Sequence, residues 1–195
     1  MTKMEQAFNL FDTYNKQDPS EIIWNGQPYP AEYFYAIKLY ERVKDLAPQT
    51  GDALLLASRC QHIGRWEIAR TAFPEGRVGY LKWRNELSKF HAHKATEILQ
   101  SLNYETDIIA RVNEIILKKK LTTDTEVQTM ENALCLVFLQ FQYDDLIKKQ
   151  SPEKMISILQ KTWAKMSTPG KQAAALLTYS ETGKALLNKA LEGLD

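Results

Sequence analysis

The sequence predicts an all-α fold, a single multi-helix domain, on three observations. Apolar residues recur at spacings of three and four along almost the whole chain. No segment sustains the period-two alternation of a half-buried strand. Pro, Gly, Ser and Asn gather in short stretches between the periodic segments, where turns and caps belong. At 195 residues, 44% hydrophobic and 25% charged, the chain has the composition of one packed domain spanning residues 1–195.

The elements follow in order. A first helix is predicted from about Lys3 to Lys16, with Phe8, Phe11 and Tyr14 on one side. It stops at DPSEIIWNGQPYP, read as a loop that buries Ile22, Ile23 and Trp24, so residues 1–29 form an N-terminal helix and loop. Pro30 suits the first turn of a second helix, and Pro48 ends it near Ala47. A third helix is predicted from roughly Ala53 to Trp66, after which FPEGRVGY breaks the pattern. A long fourth helix runs from about Val78 to Leu102. A fifth runs from Thr106 to Lys120, its terminal lysine triple complementing the negative end of the helix dipole.

A sixth helix, Asp124 to Lys149, has a centre that is apolar on all faces, which marks a central buried helix near 125–149 and a core over 30–149. Ser151 as N-cap and Pro152 at the first helical position open a seventh. STPGK ends it, and SETGKALLNKALEGL closes the chain with a short helix, so 150–195 holds the C-terminal helices.

Composition excludes some functions. Lys and Arg number 25 against 24 acids, and a net charge of +1 without a basic stripe argues against nucleic acid as a partner. The longest apolar run, Ala133 to Leu139, is far short of the ~20 residues of a membrane span. The N-terminal residues lack the basic-then-apolar pattern of a secretory signal. Cys60 and Cys135 both lie in apolar segments, as small buried hydrophobes do in a reducing compartment, so a cytoplasmic location is expected.

The polar residues that could carry chemistry concentrate in three places. CQHIGRWEIAR supplies His62, Arg65, Glu67 and Arg70. On the fourth helix, His91 falls with Leu87, Ala95 and Ile98 on the core side, whereas His93 falls with Glu86, Lys89 and Glu97 on the polar side. Tyr80, Trp83, Leu87 and Phe90 form a stripe suited to packing. Arg77, Lys82 and Arg84 join Arg65 and Arg70 to put five cations within twenty residues. Arginine's planar fork grips phosphate or carboxylate, so a local anion site is chemically reasonable, and so is a charged surface in which Glu67, Glu75 and Glu86 pair with these cations. On the sixth helix Glu131 shares a stripe with Val127, Leu134, Phe138 and Phe141, and Asn132 follows it. A carboxylate entering a buried helix calls for an arginine or histidine against it.

Four segments, QHIGRWEIAR, FPEGRVGYLKWRNELSKFHAHKATEIL, ARVNEIILKKKLTTDTEVQTMENALCLVFL and ILQKTWAKMS, resemble a helical family of unknown function, domain-of-unknown-function family 4202. That resemblance names relatives and implies no activity. A more distant likeness is to the HD phosphohydrolase superfamily, whose all-helical proteins bind metal through an early histidine, a His-Asp pair and a later aspartate. LLLASRCQHIGR is similar to the His-Asp segment, with His62 in the histidine place; FHAHKATEIL resembles the segment with an extra histidine, here His91; MENALCLVFL resembles the segment with the last aspartate. The chain departs from that pattern: Ile63 follows His62, PAEYFYAIKLYERV has no histidine, and the last segment offers Glu131 and Asn132.

Three readings of function follow. The leading one is a degenerate HD-like domain, with an HD-like core over 30–149, binding a small phosphate-bearing or carboxylate ligand in a pocket lined by His62, Arg65, Arg70, His91, Lys94 and Glu131, with Glu67, Arg77, Arg84 and Asn132 as further candidates. The second is a metal-dependent phosphohydrolase with altered ligands, in which His62, His91 and Glu131 hold a divalent metal; three such residues are few for a catalytic centre. The third is a structural or protein-interaction module in which both histidines satisfy buried partners. The sequence leaves open whether the protein is an enzyme, and its oligomeric state.

Overall fold

In the computed structural model, which describes residues 1–193, the chain is mostly helical, with ten α-helices among the described residues and one small two-stranded sheet. The contacts divide it into two compact units, residues 1–120 and 121–195, each described by itself below. Leu194, the last residue of the expected closing helix, lies outside the described residues.

In the first unit, α1 (Lys3–Asn15) opens with a capping box in which Thr2 and Glu5 satisfy each other's backbone N–H groups. The expected loop is instead a hairpin, β1 (Glu21–Trp24) paired antiparallel with β2 (Gln27–Pro30), Ile22 opposite Tyr29 and Trp24 opposite Gln27. Its cause is the two-residue Asn25-Gly26 turn, both residues at positive φ (49° and 76°), the backbone shape that joins twisted strands tightly. The expected burial is corrected in part: Ile22 and Trp24 are half-buried, but Ile23 is 65% exposed on the outer face. The hairpin's two ends are tied by Asp18, which accepts from the backbone N–H of Ser20 and of Glu32, both at 2.9 Å.

α2 (Ala31–Leu46) follows, with Pro30 just before its first residue. α3 (Asp52–Cys60) packs on α1, α2 and a later helix, α5 (Thr106–Ile116). Every residue of α3 except Asp52 and Leu55 is buried, so the first unit has its own all-round buried helix. The third helix was expected to reach Trp66, but it ends at Cys60. Gly64 then takes a left-handed φ of 67°, and two short 3₁₀ turns, Arg65–Glu67 and Arg70–Ala72, lead to α4 (Gly76–Ser101). A Cβ on Gly64 would sit 2.7 Å from the Phe90 ring and 2.9 Å from Tyr14, so the turn requires glycine both for its backbone and for close approach.

α5 ends four residues earlier than expected. Lys118 turns left-handed (φ 54°), its N–H and that of Lys119 donating back to Ile115 and Glu114, so the lysine triple follows the helix as its Schellman turn instead of occupying its last coil.

The second unit is built on α6 (Thr125–Phe141), whose consecutive buried residues Met130, Glu131, Asn132 and Ala133 cover every face. Asp124 caps it, accepting from Glu126 and Val127 at 3.1 Å. The expected continuation to Lys149 is broken at Gln142, and α7 (Tyr143–Ile147) is a separate turn. Ser151 and Pro152 open α8 (Pro152–Lys165) with the expected chemistry. α8 ends just before STPGK, as expected, but those residues also begin a further helix, α9 (Thr168–Ala175), and Ser180 caps α10 (Glu181–Leu191).

Candidate functional site

The sequence candidates separate between the units. His62, Arg65, Glu67, Arg70, Arg77, Arg84, His91 and Lys94 belong to the first, Glu131 and Asn132 to the second.

In the first unit, the turn that Gly64 forces after α3 brings His62 against α4. Gln61, one residue earlier, anchors this turn by donating from Nε2 to the Ile116 carbonyl at the end of α5, at 3.1 Å. The His62 and His91 rings lie 5.7 Å apart. His91 is buried, and its Nδ1 is 2.7 Å from the Ile63 carbonyl oxygen. A carbonyl only accepts, so this contact assigns the proton to Nδ1 and leaves the Nε2 lone pair as the ring's acceptor. Burial pushes His91 down to about 4, the Ile63 bond opposing and Arg65 assisting. His62 is held well below its usual range by burial, then by the charge of Arg65, by the neighbouring His91, which disfavours a second proton beside it, and by Lys118 and Arg84. Both imidazoles are therefore neutral at pH 7, in a setting where the surrounding charges are cationic.

Arg65 completes the cluster. Its guanidinium stacks over the Trp83 ring at 5.1 Å, and its Nε stands 3.6 Å from Glu32 Oε1. Trp83 is fixed in turn by donating from its indole N–H to the Ile68 carbonyl at 2.8 Å. Glu32 is 9% exposed; burial raises its carboxyl to about 7, with Arg65 lowering and Asp18 raising it. Sequence reasoning missed Glu32 because a Glu in a first helical turn is an ordinary dipole-complementing residue. It stands where the unanticipated hairpin meets α2, with its backbone N–H held by Asp18.

The remaining cations of the set do other work. Arg70 donates from Nη1 to the Phe73 carbonyl at 2.9 Å and so braces the second 3₁₀ turn. Lys94 pairs with Glu97 at 2.7 Å and lies 5.3 Å over the Tyr14 ring. Glu67 accepts a hydrogen bond from the Tyr14 hydroxyl, not from a cation of the set. Arg84 lies 5.9 Å over Tyr80, and Arg77 is exposed. His93 is exposed, 3.3 Å from Glu97. Of the two alternatives the sequence left open, pairing of these cations with Glu67, Glu75 and Glu86 is not what is seen among the described residues: Arg70 is held by carbonyls, Arg65 and Arg84 lie over rings, and Arg65's acid is Glu32.

In the second unit Glu131 is buried, 3.6 Å from Lys165 Nζ, so a lysine is among its partners where arginine or histidine was foreseen. Asn132 is a structural residue. Its amide donates to Ser167 Oγ at 2.7 Å, and its Oδ1 accepts from Ser167 N at 3.0 Å and Gln128 Nε2 at 3.1 Å, which pins the start of α9. A Cβ on Gly170 would meet Asn132 Oδ1 at 2.5 Å, so α9 can approach only where glycine stands. Asn132→Ala is expected to lose about 2 kcal/mol in urea denaturation by stranding the Ser167 N–H. An unchanged midpoint would leave the amide without that role.

Among the described residues no three His, Cys, Asp or Glu side chains group to hold a metal ion. Two imidazoles beside an arginine do not fit a hydrolytic divalent centre, which needs several N or O ligands and an open position. No described helix is long and apolar enough to cross a membrane.

A mostly helical protein whose first unit frames a neutral histidine pair with an arginine is the class that fold and site define. The chain belongs to the family described as Domain of unknown function (DUF4202), whose model matches residues 5–187. No curated protein and no solved structure matches it.

Proposed function

We propose that the first unit binds a small anion, phosphate-bearing or carboxylate, at the cluster of His62, His91 and Arg65, in a degenerate HD-like domain. The observation that carries this reading is the placement of the half-buried His62 ring beside His91 with Arg65, Arg84 and Lys118 supplying positive potential around it. The neutral His62 imidazole can offer an N–H to an oxyanion without the cost of a buried charge, and the guanidinium supplies attraction, while His91, its own N–H held by the Ile63 carbonyl, packs beside the His62 ring. The HD-like assignment rests on the sequence segments alone. Cys60 and Cys135, buried and not in a disulfide, support a reducing, cytoplasmic setting.

Thermal shift with sulfate, nucleotides and sugar phosphates tests the proposal. Saturating ligand at ~100 times its Kd is expected to stabilise by about 2.7 kcal/mol, and His62→Gln is expected to remove the shift. No stabilisation by any anion, or an equal shift in His62→Gln, overturns it. Sulfate keeps its charge across this pH range and gives a second prediction. Glu32 loses its negative charge as pH falls through about 7, which leaves Arg65 uncompensated, while His62 stays neutral. Sulfate is therefore expected to bind several-fold more tightly at pH 6 than at pH 8, and Glu32→Gln is expected to abolish the difference.

The Ile63–His91 hydrogen bond favours a second reading, a module in which the histidines only satisfy the core. Under it His62→Gln changes stability and no anion shifts the melting temperature.

A further inference from the structure

Apart from Trp83 and Arg84, the N-terminal half of α4 holds features that the histidine cluster does not use. Gly79 and Trp83 face inward, but nearly everything else from Gly76 to Glu86 is exposed. Val78 is 69% exposed, Leu81 54% and Tyr80 43%. Isolated exposed apolar residues are ordinary, but these fall within one turn. Val78 and Leu81 are spaced by three and so adjoin on the helix surface. They are bracketed at i+4 and i+3 by Arg77, Lys82 and Arg84: Arg77 stands four before Leu81, Lys82 four after Val78, Arg84 three after Leu81. Arg77 and Lys82 have no ion-pair or hydrogen-bond partner among the described residues, whereas farther along the helix Lys89 is paired with Glu86 at 3.0 Å and Lys94 with Glu97 at 2.7 Å.

We infer that this face of α4, Val78 and Leu81 framed by Arg77, Lys82 and Arg84, docks an acidic amphipathic helix of a partner protein. The charge balance selects the occupant. From Gly76 to Phe90 the helix carries four cations and one acid, although the whole chain is near neutral, so the local excess is concentrated where the apolar side chains are exposed. A leucine stripe flanked by glutamates would cover Val78 and Leu81 while its acids meet Arg77 and Lys82, the geometry of a helix laid on a helix face. Tyr80, already under the Arg84 guanidinium at 5.9 Å and 5.8 Å from the Trp83 ring, adds a held aromatic and arginine of the kind that anchors interfaces. A bilayer is disfavoured as occupant, because interfacial helices bury a broad apolar face and here only a narrow one lies among the cations. Nucleic acid is disfavoured by the apolar centre between the charges.

The test uses the full chain and a fluorescein-labelled synthetic helix with leucine on one stripe and glutamate flanking it, read by anisotropy at low and high salt. Saturable binding is expected, weakened by salt and by exchanging the peptide's glutamates for glutamine. Leu81→Asp and the double change Arg77→Glu with Lys82→Glu are each expected to weaken it at least ~10-fold, with unchanged melting temperatures because the positions are exposed. Lys154→Glu, on the exposed face of α8, is the control expected to bind normally. No saturable binding, equal binding by all variants, or uptake by phosphatidylserine vesicles or duplex DNA in place of the peptide overturns the inference.

Discussion

Replacing Asp12 by alanine is expected to destabilise the first unit by about 3 kcal/mol. Asp12 on α1 is hydrogen-bonded to the Arg59 guanidinium on α3, and the two side chains are only 17% and 11% exposed. Arg59 also lies over the rings of Phe8, at 5.1 Å, and Tyr40, at 5.7 Å, so α1, α2 and α3 all meet at one cation. Alanine at position 12 leaves that cation in place without its counter-charge, and its Nε already has no hydrogen-bond partner.

The size of the loss comes from the stranded charge, not from the worth of the pair. Asp12→Ala combined with Arg59→Met should therefore recover most of it, since methionine can fill the space between Phe8 and Tyr40 without a charge to desolvate. Lys89→Ala, which removes the exposed partner of Glu86 at 3.0 Å, is expected to shift stability by less than about 1 kcal/mol. Urea denaturation midpoints of the three variants decide. A double variant no more stable than Asp12→Ala alone would show that lost packing, not the unpaired charge, sets the cost.

This junction was invisible in the sequence because its two members are 47 residues apart and each reads as an ordinary helix-surface charge. The start of α8 was legible because its cap announced it: Ser151 satisfies an orphan backbone N–H and Pro152 has none to satisfy, whereas α1 was read from its apolar spacing and its Thr2–Glu5 capping box emerged only in the structure. The hairpin was also announced, by Asn25-Gly26, but its strands are too short for alternation to outweigh the surrounding helical periodicity. At Cys60 the periodicity points the other way: the apolar period continues through Ile63 and Trp66, yet α3 ends and Gly64 turns left-handed at a place where Phe90 and Tyr14 leave no room for a side chain.

Of the site, the inward facing of His91 could be read from its spacing on α4, since period 3.6 fixes the face. The company it keeps could not, because His62 and Arg65 come from the strap after α3, and Arg65's partner Glu32 from α2, so their approach depends on tertiary closure. Asn132 shows the limit from the other side: a polar residue on a buried helix looks like a ligand until its hydrogen bonds are counted, and three go to Ser167 and Gln128.

Acid should destabilise the protein, and two substitutions should tilt that response in opposite directions. Burial holds His91 at about 4 in the folded chain against 6.5 when exposed, so the unfolded state takes up the proton first. Its contribution is intact above pH 6.5 and is lost as pH falls toward 4, about 3 kcal/mol in all. His62, also held low, acts in the same direction. Glu32 acts oppositely: with its folded value raised from 4.5 to about 7, the folded state keeps a proton that the unfolded state has released, and stability declines by about 3 kcal/mol as pH rises through that window. Between pH 4.5 and 6.5 one carboxyl therefore offsets one imidazole, and the wild-type profile carries only the remaining imidazole. Glu32→Gln removes the offset, so stability should fall more steeply in acid than in wild type. His91→Gln leaves one imidazole against one carboxyl, so the profile should flatten. Urea denaturation at pH 5, 6, 7 and 8 resolves the three slopes. Parallel profiles would mean that neither group changes its proton occupancy on folding, and the anion site would then lose the pH dependence that Glu32 is argued to give it.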